Sequence, residues 1–195
     1  MIKVIRIFSV VVGLYFFGTA MVPAQVVNDK MEDAKIDNVL PVMLGFRVPE
    51  EFWSREFTVF ENGNYKKKTL EKYRGKPLIL DFWATWCTSC VRNFPKLESY
   101  KEAYGDHVNF LLVNSFDRDT AKITDIFTNE QYTKYRTNIP SVVLDDYFKQ
   151  LFPHQAVPIY VWIDDFGRLG AVSTSDFLND YEIRGMISRV KGAKP

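Results

Sequence analysis

Cysteine and histidine are scarce in this 195-residue chain, with two of each. Cys87 and Cys90 are separated by two residues, whereas His107 and His154 are far from each other. That is a poor set for zinc, which takes about four ligands. An excess of one charge is also missing. The 25 lysines and arginines almost match the 24 aspartates and glutamates, leaving +1, so nothing argues for nucleic acid or an acidic partner. No nucleotide- or flavin-binding motif, internal repeat or low-complexity tract occurs. Val91 occupies the position directly after Cys90, where a c-type haem tether needs histidine. Neither cysteine has a threonine or serine three positions before it, since Ala84 and Cys87 stand there, so the peroxidatic pattern fails as well.

A long apolar run is lacking too. Lys3 and Arg6 precede the sixteen uncharged residues Ile7–Val22, fewer than the ~20 that a spanning helix needs. A basic start, a short apolar stretch and the exit Val22-Pro23-Ala24 predict a secretory signal peptide over 1–24, cleaved after Ala24. An uncleaved anchor is the alternative. Cleavage takes the net charge from +1 to −1. Either way the domain is expected outside the cytoplasm, in the periplasm or cell envelope, where disulfides form and persist.

The remaining length suits one domain. Residues 25–55 read as a lead-in segment, charged at first and aromatic at Phe46, Phe52 and Trp53. From residue 56 the pattern sharpens. Asn62-Gly63 predicts a hairpin turn between strands near 56–60 and 64–67, with Lys66-Lys67-Lys68 on its solvated arm. Thr69 is a candidate cap for one helical turn closed by Gly75. "PLILDFWA" reads as a buried strand. Cys87 to Tyr104 has helical spacing, with Pro95 expected to kink it. "HVNFLLVNS" is a second buried strand, completing a parallel crossover unit. Ile123, Ile126 and Phe127 then mark a helix face. "PSVVLDDYFKQLFP" gives a short strand and a helical turn. "VPIYVWIDDFGRLGAVST" is a hairpin and "NDYEIRGMISRVKG" a closing helix. The order is βαβ, then α, then ββα.

The two cysteines thus lie where a buried strand ends and a helix begins. As a structural staple the pair is poorly placed, because so short a loop constrains the unfolded chain little. As a redox dithiol it is well placed. Cys87 sits at the helix N-terminus, where free amides and the helix dipole favour the reactive thiolate, lowering its pKa from ~8.5 to roughly 4–7. Cys90 is one turn in. Cys87 can attack a substrate disulfide and Cys90 can resolve the mixed disulfide.

"DFWATWCTSC" resembles the active-site segment of thioredoxins. Residues 56–192 resemble the TlpA/ResA-type thiol–disulfide oxidoreductases of that superfamily, on Asp81, Trp83, Trp86–Cys90, Pro95, Val157-Pro158 and Trp162–Leu169. The resemblance implies an α/β thioredoxin-like domain over 56–195, a central mixed β-sheet flanked by helices, with an N-terminal β-hairpin extension. It implies Cys87 as nucleophile, Cys90 as resolving thiol and Asp81 as the buried acid that helps deprotonate it, with no cofactor beyond the Cys87–Cys90 disulfide. Pro158 matches the family's cis-proline, which with Val157 and Trp86 would border the substrate groove. Asn93 departs from the glutamate usual three residues after the second cysteine, leaving acid–base work to Asp81. Thr88-Ser89 replaces the common Gly-Pro or Glu-Pro dipeptide. His154, four residues before Pro158, is a candidate neighbour of the sulfurs, with a surface or capping role as the alternative.

The expected function is disulfide reduction or exchange in other exported proteins, fed by a membrane dithiol electron donor. A disulfide oxidase or isomerase, or an interaction module with a permanent disulfide, are the alternatives.

Overall fold

The computed structural model describes residues 39–192; the expectations for the signal peptide and for residues 25–38 lie outside that range. Strand β3 (Leu78–Phe82) is buried at every position, as its apolar run requires. It runs parallel to β4 (Asn109–Val113) on one side and antiparallel to β6 (Ile159–Ile163) on the other. Around these three, β1 (Phe57–Glu61), β2 (Asn64–Lys68), β5 (Ser141–Val142) and β7 (Leu169–Ser173) complete a seven-stranded mixed sheet in the order β2-β1-β5-β4-β3-β6-β7.

The period-2 alternation of β3 divides the core. Ile79 joins Trp83, Phe94, Leu97, Tyr160 and Ile183 in the layer beneath helices α2 (Thr88–Tyr104), α3 (Thr120–Thr128) and α5 (Asp180–Gly192). Leu78, Leu80 and Phe82 join Phe52, Trp53, Phe57 and Phe148 in the opposite layer. That layer is closed by α1 (Glu51–Ser54) and α4 (Tyr147–Leu151). Phe52 packs edge-on to Phe148 and Phe152, with ring centroids 5.6 and 6.2 Å apart.

Residues 39–55, read from sequence as lead-in, pack onto this second layer. Val42 N–H donates to Leu151 O, Gly45 N–H to Leu169 O and Val48 N–H to Gly167 O. Phe52 and Trp53 are buried, whereas Phe46 is exposed. The unit they belong to begins at Val39. At the far side, Asn62 and Gly63 both adopt positive φ, 51° and 75°, the conformation that an Asn-Gly hairpin turn demands. Tyr65 on β2 stacks edge-on to Phe60 and donates to Thr120 O at 2.8 Å, which ties the hairpin to α3.

One local expectation is corrected and two helices are defined more closely. Thr69 does not cap a helix: the turn is a 3-10 helix, Glu71–Tyr73, with Leu70 at its N-cap and no side-chain cap bond. Helix α2 runs unbroken through Pro95, with tertiary packing of Val91, Phe94 and Leu97 holding both halves to the sheet. The helical stretch after Asp119 divides at Asn129, which is extended (φ −66°, ψ 138°) and accepts from Gln131 N–H to start a separate 3-10 turn. An asparagine side chain that bonds its own backbone competes with helix continuation.

Trp83 is fully buried, and its indole Nε1–H donates to Ser141 Oγ at 2.9 Å, linking the end of β3 to β5. Trp83→Phe keeps an aromatic ring but removes that bond and some volume. It should destabilise the oxidised protein by about 1–3 kcal/mol, measured by urea unfolding, while the exchange chemistry of the cysteines survives.

Candidate active site at the strand-to-helix junction

Beyond Phe82 the chain leaves β3, turns through Ala84-Thr85-Trp86, and enters α2 with Cys87 as its N-cap. A sulfur thus occupies the place usually taken by a serine or aspartate oxygen: Cys90 N–H donates to Cys87 Sγ at 3.2 Å. The first turn of α2 carries no acidic residue to offset the positive helix end. Ser89 Oγ lies 3.4 Å from the same sulfur and is placed to donate to it. A thiolate at Cys87 would therefore meet a backbone amide, a hydroxyl and the helix dipole.

Cys87 and Cys90 form a disulfide with Cα atoms 5.3 Å apart. Cys87 is the outer sulfur, 5% exposed against 0% for Cys90. The Val157–Pro158 peptide bond is cis, and the Val157 carbonyl oxygen lies 3.6 Å from Cys87 Sγ. Cys90 Sγ instead faces the Phe82 carbonyl oxygen at 4.0 Å.

Asp81 precedes Phe82 and, by strand alternation, points beneath α2. It is 0% exposed, and neither carboxylate oxygen has a hydrogen-bond partner. Burial raises its pKa well above the ordinary carboxylate value, and the Tyr160 hydroxyl beside it pulls the other way. A buried carboxyl with a raised pKa is suited to moving a proton near neutrality.

Trp86 is 60% exposed and packs edge-on to Phe116, centroids 5.7 Å apart. A cleft of about 580 Å³ opens beside it, bordered by Thr85, Asp117, Lys122, Ile126 and Tyr132. Asp117 fixes this loop: Thr85 N–H and Oγ1–H each donate to its carboxylate at 2.7 Å, and Asn114 Nδ2 donates to it at 2.7 Å. Sequence reading missed this clamp, because nothing in "VNSFD" reveals that its aspartate reaches Thr85 across two loops.

His154 sits in an aromatic layer, edge-on to Phe82 (4.6 Å) and Phe116 (5.2 Å). Its Nδ1–H donates to Phe152 O at 2.8 Å, and its Nε2 is buried without a partner. Burial, with Lys149 nearby, pushes its pKa down. The ring is held neutral, the wrong form for stabilising a thiolate. Among the described residues no cluster of three or more His, Cys, Asp or Glu could hold a metal ion.

The fold recurs in solved structures. The exposed lipoprotein thioredoxin of Streptococcus pneumoniae superposes with a TM-score of 0.55 at 22% identity, over 69% of this chain and 98% of that one. The likeness is one of fold, and the fold is thioredoxin-like. The chain belongs to the Redoxin family, whose profile matches residues 27–178. Thiol-disulfide oxidoreductase ResA of Bacillus subtilis is 33% identical over 88 residues, 45% of each chain. Thioredoxin-like protein YneN of the same organism is 37% identical over 49 residues, 25% of this chain and 29% of its own. The match thus spans less than half the length of these relatives.

The buried carboxyl sets a pH dependence. Because burial raises the folded-state pKa, the folded protein holds the Asp81 proton to higher pH than the unfolded chain, which releases it near pH ~3.9. Its contribution is therefore most favourable below that pH and is lost as pH rises toward the raised folded value, by up to ~1.4 kcal/mol per pH unit. Asp81→Asn should lack this slope and gain on the wild type between about pH 4 and 7. Urea unfolding of both oxidised proteins across that range checks it; parallel stability curves would contradict it.

Proposed function

We propose that this protein is an exported thiol–disulfide oxidoreductase that reduces or exchanges disulfides of other exported proteins. The observation that carries the reading is Cys87 Sγ acting as the N-cap acceptor of α2, at the mouth of the site, with Asp81 buried on the face of β3 that meets the core layer holding Cys90.

In the reduced protein the Cys87 thiolate attacks one sulfur of a client disulfide. A mixed disulfide forms, and the departing client thiolate takes a proton from water. Cys90 then loses its proton to Asp81, and its thiolate attacks Cys87 Sγ. The second client sulfur leaves as a thiolate and takes up the proton from Asp81 or water, and the Cys87–Cys90 disulfide remains, so two electrons have passed to the client. Burial disfavours a free thiolate at Cys90, which is why a nearby proton acceptor matters there and not at Cys87.

The exposed face of Trp86, the cleft beside it and the Val157 carbonyl at the cis bond offer a border along which an extended client chain would lie. The predicted signal peptide supports the periplasm or cell envelope as the workplace. A membrane dithiol carrier is the expected electron donor, since the chain carries no nucleotide or flavin motif.

Cys87→Ser should abolish reduction of insulin disulfides, while Cys90→Ser should accumulate mixed disulfides that resist resolution. In the reduced protein, alkylation at pH 6 should label Cys87 far faster than Cys90; equal rates would refute the assignment of roles. Asp81→Asn should slow resolution by ~10²-fold or more, the scale of losing a general base, and leave the first attack nearly unchanged. Stopped-flow trapping on a model disulfide separates the two steps.

A further inference from the structure

Tyr160 takes no part in the chemistry above, yet it stands opposite Asp81. The antiparallel register of β3 and β6 pairs the two residues directly, and directly paired residues point to the same face of a sheet, with Cβ atoms about 4.5–5.5 Å apart. That face is the one beneath α2: Tyr160 shares its core layer with Cys90, Trp83 and Phe94. Its hydroxyl and both Asp81 oxygens are buried without partners. Three orphaned polar atoms thus meet at one rung of the ladder. A phenylalanine at 160 would fill the space without burying a hydroxyl, so the oxygen calls for a reason.

The third member is Asn93, half-buried and one turn beyond Cys90 on α2. Burial, and after it the Asp81 charge, push the Tyr160 pKa up, and the Asn93 side chain pulls it the other way. A bond from the Asn93 amide to the phenolic oxygen would leave the phenolic hydrogen free to turn the other way, toward Asp81. Once Asp81 is ionised, that hydrogen is the donor available to it from β6, and α2 brings Cys90 with the proton to be moved.

We propose that Tyr160 is a positioning residue: its hydroxyl, oriented by the Asn93 amide, donates to the ionised Asp81 carboxylate and holds it ready to take the proton of Cys90. The proton travels from Cys90 Sγ to an Asp81 oxygen, and Tyr160 keeps its own. Without the donor, the buried carboxylate would have no partner and the carboxyl would stay protonated, unable to accept. The catalytic half of this statement rests on the reading of Asp81 as proton acceptor.

The test is an infrared pH titration of the reduced protein, with the carboxyl C=O band assigned to Asp81 by its loss in Asp81→Asn. Tyr160→Phe, which keeps the ring in the core, should raise the Asp81 midpoint by about one pH unit, a ten-fold change in its ionisation constant. Asn93→Leu should move it the same way by less. The pH profile of the resolving step should rise in parallel, while Cys87 attacks at its former rate. An unmoved midpoint in a Tyr160→Phe protein with native near-ultraviolet dichroism overturns the proposal, and a merely structural role for Tyr160 predicts that result. A midpoint that moves while resolution does not upholds the Tyr160–Asp81 link and instead overturns Asp81 as the acceptor for Cys90.

Discussion

Strand β3 has no face open to water. Leu78, Leu80 and Phe82 enter one core layer and Ile79 the other, and Asp81 must share that second layer with aromatic and aliphatic side chains. A carboxyl group held there without a hydrogen-bond partner is a standing cost to the fold. The sheet tolerates it because β4 and β6 satisfy the backbone of β3 on both edges and the surrounding core is extensive. The same burial moves the acid's pKa upward, away from the permanently ionised state that it would have at the surface.

The end of β3 sets the second half of the site. The chain leaves the sheet and enters α2 within a few residues, so the helix N-terminus lies directly over the strand end. Cys87 inherits the orphan amide of Cys90 as a hydrogen-bond donor. A thiolate accepts such a bond more strongly than a disulfide sulfur does, so the cap favours the reduced, ionised form. Asp117 steadies the approach by clamping Thr85, and Asn114 steadies Asp117 in turn. The outer and inner sulfurs therefore have different environments although they are three residues apart: one at the mouth with donors, the other under the helix against a carbonyl.

Much of this was legible in the sequence wherever the signal is local. The continuous apolar run of β3, the Asn62-Gly63 turn, the strand–turn–strand from Ile159 to Ser173 and the helix after Cys87 each rest on neighbouring residues, and each appears in the structure. Signals that depend on what packs from elsewhere were less readable. Phe52 and Trp53 look like part of a loose lead-in until Phe148 and Phe152 are folded against them. Thr69 has the chemistry of a cap, but the backbone places Leu70 at that position. His154 is close to Pro158 in sequence, yet its ring turns to Phe82 and Phe116 and stays neutral.

By itself the sequence determined the main strands and helices from residue 56 on, their order, the placing of Cys87 and Cys90 at a helix start, and the family, because periodicity, turn dipeptides and a short contiguous motif are all written along the chain. Only the tertiary structure decided which residues surround Asp81. The pairing of Asp81 with Tyr160 spans 79 positions and exists through strand register alone, and the half-burial of Asn93 depends on how α2 lies over the sheet. Register and helix placement come from the packing of the whole core, where a slip of one residue would turn Tyr160 to the opposite face.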